Sequence, residues 1–432
     1  MHKMKIPFLR NVTIPLPARA FLVFLTFLHT VNLYIDRAAI SAGRDSIVHD
    51  LGLTDIQFGW VMAMFTLGYA LFQAPTGAWA DKKGPRSVLT FIIIFWSICT
   101  KLTAATWNYT SLLVIRFIFG AGEAGAFPAL SKVVYNWFPL NERGIVQGIN
   151  FSGSRIGAAF TLPLVALMIS HIGWRLSFVV IGAIGVLYAI FWYLVFRDTP
   201  EETSWVSEEE ANYIVETRQQ PTVGILPPFS FPKLVKSGNM WLAMGQYIAS
   251  NFTFYFTLTW MLPYITDRFQ VDIVQAGFYS MFPLLAGAVG NWFSGWLVDI
   301  IFKKKQSLKI SRRVPAMIGF FLAAIGMVMV TVVESPVVAV IFMSVAIFGA
   351  DMTLSPSWSF CIDIAKERAG VISGTMNMAG NLGAFVTIIT YPYLFAATGS
   401  HIPFFYTCAA LSVTAIVMWL FMNPDKVLFN NA

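Results

Sequence analysis

Charge is what this chain has least of. Asp, Glu, Lys and Arg make up 12% of its 432 residues and apolar types 57%, with a mean hydropathy of +0.66. A water-soluble protein carries about a quarter charged residues, so too little polar surface exists here to cover a body in water. Cysteine is almost missing. Cys99, Cys361 and Cys408 are scattered through apolar stretches, an odd set that excludes a disulfide framework and has no zinc-site spacing. The five histidines are equally dispersed, and no phosphate-binding loop, nucleophile constellation or appended soluble domain is present. The expectation is therefore a chain that is not an enzyme and holds no metal and no organic cofactor.

What the chain has instead is long uncharged runs. Crossing ~30 Å of hydrocarbon takes about 20 helical residues. Ile56 to Ala80, Leu176 to Phe196, Met240 to Thr266, Ile273 to Val298, Val314 to Val333, Ala369 to Ser400 and Ile402 to Pro424 contain no Asp, Glu, Lys or Arg. Ala20 to Ser41, Ser87 to Thr106, Ser111 to Ser131, Gly144 to Ser170 and Ser335 to Ile362 are nearly as apolar. The fold class expected is an all-α membrane protein of twelve transmembrane helices embedded in a lipid bilayer. Basic residues are retained on the cytoplasmic side. With both termini inside, the inner segments collect Lys82, Lys83, Arg86, Lys303, Lys304, Lys305, Arg312 and Arg313 among others, and the outer side only Arg44, Lys101, Arg175 and Arg268. The net charge of +7 thus reads as topology and not as a nucleic-acid footprint. No A-x-A-like cleavage signal follows the first apolar run, and a multi-pass protein of the inner membrane, working as a monomer, is expected.

Arg197 to Ser237 is the longest hydrophilic stretch and carries Pro200, Pro221, Pro227, Pro228 and Pro232. It divides the chain into halves 1–196 and 238–432 joined by a linker, 197–237. Ser207 followed by Glu210 has capping-box spacing, which predicts a short surface helix in that linker. The halves repeat one another. Gly77-Ala78-Trp79-Ala80-Asp81 matches Gly295-Trp296-Leu297-Val298-Asp299, and Glu142-Arg143 through Arg155-Ile156-Gly157 matches Glu367-Arg368 through Leu382-Gly383. Parallel repeats around an axis along the membrane normal are the arrangement that places a transporter's site at mid-membrane.

Ions inside the spans carry the chemistry, since each costs ~2.5–3.5 kcal/mol to insert and is normally paired or faces a cavity. They are Asp36, Arg37, Arg116, Glu123, Arg155 and Asp351. Arg116 and Glu123, seven residues apart, share a helix face. Asp36 and Arg37 point about 100° apart, so one can face that helix and the other a central cavity. Asp36 and Glu123 are suited to proton coupling with Arg116, because desolvation disfavours a charged carboxylate and a nearby guanidinium restores it. Arg37 is left to hold an anion. A purely structural salt-bridge network is the alternative, although buried pairs are poor stabilisers beside apolar packing. His29, seven residues before Asp36, reads either as a proton relay or as a packed ring. Asp81, Arg86, Glu142, Arg143 and Asp299 lie at inner helix ends and are expected to gate the cytoplasmic side.

The segment from Gly77 to Arg86 resembles the loop motif of the major facilitator superfamily. Tyr34-Ile35-Asp36-Arg37-Ala38, Arg116 with Gly122-Glu123-Ala124 and Phe127-Pro128-Ala129, Trp137 to Arg143, and Met376-Asn377-Met378-Ala379-Gly380-Asn381 resemble its anion:cation symporter family. That resemblance implies a proton-coupled symporter of a small organic anion, with bacterial galactonate, glucarate and hexuronate permeases as relatives. It implies Asp36 and Glu123 as proton sites, Arg37 as carboxylate anchor, and Tyr34, Tyr69, Trp358 and Asn377 as lining of a sugar-acid site. The chain departs from the galactonate-type pattern at Arg155, where that pattern has an uncharged polar residue one position earlier, at Ser154, and no cation. By the repeat, Arg155 corresponds to Asn381, and all three are expected at the substrate. A second cation there would favour a diacid; alternatively Arg155 pairs with Glu123 or Asp351. A carrier of another anion (a short or aromatic carboxylate, a sulfonate, phosphate), sodium coupling, and a transport-dead sensor of the same fold stay open.

Overall fold

A computed structural model describes residues 4–6, 9–14, 17–219, 231–271 and 273–428; Pro221, Pro227 and Pro228 of the expected linker lie outside them. Among the described residues the α-helices are α1 (Ala18–Ala42), α2 (Arg44–Leu51), α3 (Asp55–Lys83), α4 (Pro85–Thr103), α5 (Tyr109–Glu123), α6 (Ala126–Trp137), α7 (Arg143–Val195), α8 (Glu208–Thr217), α9 (Phe231–Val235), α10 (Gly238–Thr259), α11 (Met261–Phe269), α12 (Ile273–Lys305), α13 (Leu308–Val330), α14 (Pro336–Met352), α15 (Leu354–Ala365), α16 (Ala369–Thr398) and α17 (Ile402–Phe421). Helix runs through all twelve apolar stretches. Among the described residues, eight helical segments are long and apolar enough to cross a membrane on length and composition. A two-stranded antiparallel ribbon, Met4–Ile6 with Leu9–Ile14, is an exception to the all-α expectation.

Three of the apolar stretches are broken where the sequence reading runs one helix through. α5 ends at Glu123, α10 at Thr259 and α14 at Met352; Pro128, Pro263 and Pro356 stand four or five residues further on. A proline has no N–H for the carbonyl four residues before it, so the helix gives way there. Met352 O, the carbonyl that Pro356 leaves without an N–H, accepts from Ser294 Oγ, and Ser250 Oγ adds a bond of 3.2 Å to Ala350 O, which also accepts from Thr353 N. Proline alone does not decide this, because Pro75, Pro283 and Pro315 sit within helices that continue. α7 turns at Gly173, whose φ of 76° is open to glycine; this corner separates the stretches ending at Ser170 and starting at Leu176.

Contacts divide the chain into two compact units. The first comprises Met1–Arg143, Phe160–Leu226 and Ala365–Met378, the second Gly144–Ala159, Pro227–Ile364 and Ala379–Ala432. In the first, Ala39, Ile40, Phe58, Val61, Leu112, Trp174 and Phe178 form an apolar core. The second has a core rich in aromatic rings, with Phe252, Phe254, Phe256, Tyr264, Phe404 and Phe405. Leu71, Phe91, Ile98 and Leu187 on the first unit, and Phe282, Trp292, Trp296 and Phe321 on the second, are exposed. Large apolar side chains outside and a wealth of buried polar ones are the distribution a lipid solvent favours.

Candidate functional site

In the first unit α1, α3 and α5 bring Tyr34, Arg37, Tyr69 and Glu123 together. Arg37 Nε donates to Glu123 Oε1 at 2.8 Å, with the acid fully buried and the guanidinium nearly so. Three rings surround that guanidinium, Tyr69 at 4.3 Å, Tyr34 at 5.0 Å and Phe65 at 5.2 Å. Asp36 points elsewhere: its Oδ1 accepts from Thr100 Oγ1 on α4 at 2.7 Å. The two neighbours therefore serve different helices, as their angular offset requires, but the division differs from the expectation. Arg37 meets Glu123, while Arg116 makes no ion pair among the described residues and lies over Phe65 and Phe119, 4.8 Å from each. Glu123 Oε2 and Asp36 Oδ2 are buried without a hydrogen-bond partner.

The second unit holds the other buried cation. Arg155 grips Asp351 with two bonds, Nε to Oδ2 at 2.8 Å and Nη2 to Oδ1 at 2.7 Å. Its guanidinium stacks on Phe254 at 3.6 Å, and Asn291 Nδ2 approaches Asp351 Oδ2 at 3.4 Å. Of the two partners considered for Arg155, Asp351 is the one it has. Ser154 Oγ donates to Phe151 O (2.6 Å), one turn back on its own helix. Trp358 Nε1 donates to Tyr247 OH at 2.9 Å, and Asn381 Oδ1 accepts from Tyr255 OH at 3.2 Å. Asn377 is buried in the first unit. Thr100, Phe254, Tyr247 and Tyr255 escaped the sequence reading, since nothing local in an apolar helix marks a residue as the partner of a distant one.

The five expected gate residues do not pair with one another. Asp81 accepts from the backbone N–H groups of Gly370 (2.9 Å) and Val371 (2.8 Å), and Asp299 from those of Gly144 (3.0 Å) and Ile145 (2.7 Å). Each carboxylate thus meets the unsatisfied donors and the positive dipole end of a helix, in one unit and again in the other. Gly77 with Gly370, and Gly295 with Gly144, let those helices cross so closely that a Cβ on any of the four would press on the facing backbone. Arg86 donates to Tyr193 O (2.8 Å) and its N–H to Asp198 Oδ1 (2.8 Å). Burial holds the Asp198 carboxyl above the usual carboxylate range, against the pull of that N–H. Arg143 Nη1 donates to Gln219 (2.9 Å), and Glu142 pairs with Arg19. The expected linker helix is present as α8: Ser207 caps it, accepting from Glu210 N. The Glu210 side chain does not return to Ser207; it accepts from Ala18 N at 2.7 Å and caps α1.

Sequence and fold comparisons agree with this architecture. The profile of the Major Facilitator Superfamily matches residues 22–388. A probable sulfoacetate transporter of Cupriavidus necator is 32% identical over 392 residues, covering 90% of each chain. A D-galactonate transporter of Escherichia coli is 30% identical over 96% of this chain and 98% of its own. Among solved structures, a proton:xylose symporter superposes with a TM-score of 0.71 at 14% identity over 93% of this chain and 95% of its own. A human organic anion transporter gives 0.69 at 15%, over 94% and 100%. The chain belongs to the major facilitator superfamily and is a multi-pass membrane transporter, not an enzyme.

Proposed function

We propose that this chain is a proton-coupled symporter that carries a small organic anion into the cytoplasm by alternating access. It would do so as a twelve-span protein of the inner membrane, with both termini inside and halves 1–196 and 238–432 joined by the linker 197–237. The observation that carries the reading is the buried Arg37–Glu123 pair under Tyr34, Phe65 and Tyr69. While Glu123 is ionised it occupies Arg37. Once Glu123 takes a proton, the guanidinium is released to bind an acidic group on the substrate, so proton and anion enter together. Asp36 supplies a second acid beside this site. Tyr34 and Tyr69, with Trp358, Asn377, Asn381 and Ser154, are proposed to line the rest, and Asp81, Arg86, Glu142, Arg143 and Asp299 to hold the cytoplasmic gate. A carboxylate and a sulfonate share the chemistry Arg37 offers, and the relatives' names cover both, with sulfoacetate beside D-galactonate and galactarate/D-glucarate.

The test is uptake of labelled D-galactonate, D-glucarate and sulfoacetate into proteoliposomes. An inward proton gradient is expected to drive accumulation of at least one of them and a protonophore to abolish it. Accumulation driven by a sodium gradient alone overturns proton coupling; no uptake of any of the three under any gradient overturns the substrate class.

Arg155 bears on the charge of the substrate. Two of its donors are held by Asp351, a pair without net charge, so a second acidic group gains little from it and a single acidic group suffices. Arg155→Gln is expected to weaken D-galactonate and D-glucarate equally. It should lower thermal stability strongly, because removing one partner of a buried pair costs ~3–5 kcal/mol, and an Arg155→Met/Asp351→Leu double variant should recover most of that loss. A loss confined to the diacid would restore Arg155 as a second anion ligand.

A further inference from the structure

A line of polar side chains follows the seam between α1 and α4 inside the first unit. His29, Asn32 and Asp36 succeed one another at intervals of three and four on α1, hence on one face; on α4, Thr100 stands four residues after Trp96 and three after Ser97. Thr100 Oγ1 donates to Asp36 Oδ1 at 2.7 Å, and the Trp96 ring lies 5.5 Å from that of His29. Asn32 and Ser97 meet beside Gly185, where an added Cβ would touch both. Tyr188 and Trp192 close over His29 at 6.0 Å and 6.1 Å. Every one of the polar groups is buried, His29 and Ser97 completely.

Yet several of their atoms find no partner among the described residues. Both ring nitrogens of His29, Asn32 Nδ2, Ser97 Oγ and Asp36 Oδ2 are without a hydrogen-bond partner. Native proteins leave few such atoms, and where several gather, bound water making two to four bonds each is the usual resolution. Hydrocarbon cannot substitute for it. The remaining titratable groups around Asp36 are Glu123 and Arg116 on α5; the rings around His29 belong to Trp96, Tyr188 and Trp192.

We propose that this seam holds a chain of bound waters from Asp36 to His29, and that the chain is the route by which a proton on Asp36 leaves towards the cytoplasm. His29 lies seven residues nearer the N-terminus, about 10 Å along the helix. The proton passes by hydrogen-bond exchange, each water accepting one proton as it releases another. His29 is a positioning residue that orients the last water, donating from one ring nitrogen and accepting on the other. This rests on the proton-coupled reading with the N-terminus inside.

Two measurements separate the inference from that reading. X-ray hydroxyl-radical labelling of the whole protein reports bound water without any substrate. His29 and Trp96 are expected to label well above Trp419, which is equally buried; labelling no higher than Trp419 overturns the water chain. Transport then tests the route. In His29→Leu, proton-driven D-galactonate or sulfoacetate accumulation should slow about tenfold, the effect on a rate of losing one hydrogen bond. Exchange at equal pH, which needs no net proton movement, should stay within about twofold, and His29→Gln should restore much of the rate. Ser97→Ala gives the same comparison should the leucine variant fail to fold. Accumulation at the wild-type rate with intact exchange overturns the route. A wild-type protein with no proton-driven uptake defeats the symporter reading and the route together, while the labelling still decides the waters.

Discussion

Arg37→Ala is expected to abolish substrate binding and not merely to slow transport. A hydrogen bond to a charged group is worth ~1.5–3 kcal/mol, roughly ten- to a hundredfold in affinity, and a bidentate one exceeds that. The arginine is nearly buried, with three aromatic rings around it, so few other groups can take over its role. Arg37→Lys should recover binding only in part, because an ammonium lacks the planar fork and stacks less well. Calorimetric titration with whichever anion the protein transports decides the matter. A dissociation constant within twofold of wild type in the alanine variant would refute the assignment.

Glu123→Gln should separate binding from coupling. In the proposed mechanism the wild-type acid, which accepts from Arg37, competes with substrate for it, and the amide carries no charge with which to compete. Affinity is therefore expected to hold or to tighten, and to lose much of its dependence on pH. Accumulation should collapse. With one proton per substrate, a gradient of one pH unit supports about tenfold accumulation; in the variant the ratio falls to about one, while exchange of substrate across the membrane continues. Wild-type accumulation in Glu123→Gln would remove the residue from the coupling scheme. Weaker binding in the variant would mean that Glu123 positions Arg37 instead of competing for it.

Much of the fold was legible because a membrane-spanning helix announces itself by length and lack of charge. That Asp36 and Arg37 point to different sides of α1 was legible too, though not that Asp36 meets Thr100 and Arg37 meets Glu123. Which cation meets Glu123 was not. Arg116 shares its helix face, but seven residues of helix put the two about 10 Å apart, so Arg37 from α1 arrives closer. The partnership of Arg155 with Asp351 spans 196 residues of sequence, and nothing in either helix alone selects it among the acids of the spans. The repeat correctly paired Asp81 with Asp299 as equivalents. It could not show that both accept from backbone N–H groups, since the donors at Gly370, Val371, Gly144 and Ile145 carry no side-chain signature.

The break at Thr353 makes α14 and α15 two rods on one joint. α15 has 12 residues, about 18 Å of lever, so a bend of about 10° at the joint moves its far end by about 3 Å. Ser250 and Ser294 hold the joint through the carbonyls of Ala350 and Met352, and Ser357 and Trp358 tie the start of the arm to Gln246 and Tyr247 on α10. Near the far end, Asp363 is tied to Arg312 on α13 by a fully buried bond of 2.9 Å. A swing of the arm must therefore either carry α13 with it or part a buried charge pair. The tie makes the far end of the broken helix a coupling rod to α13.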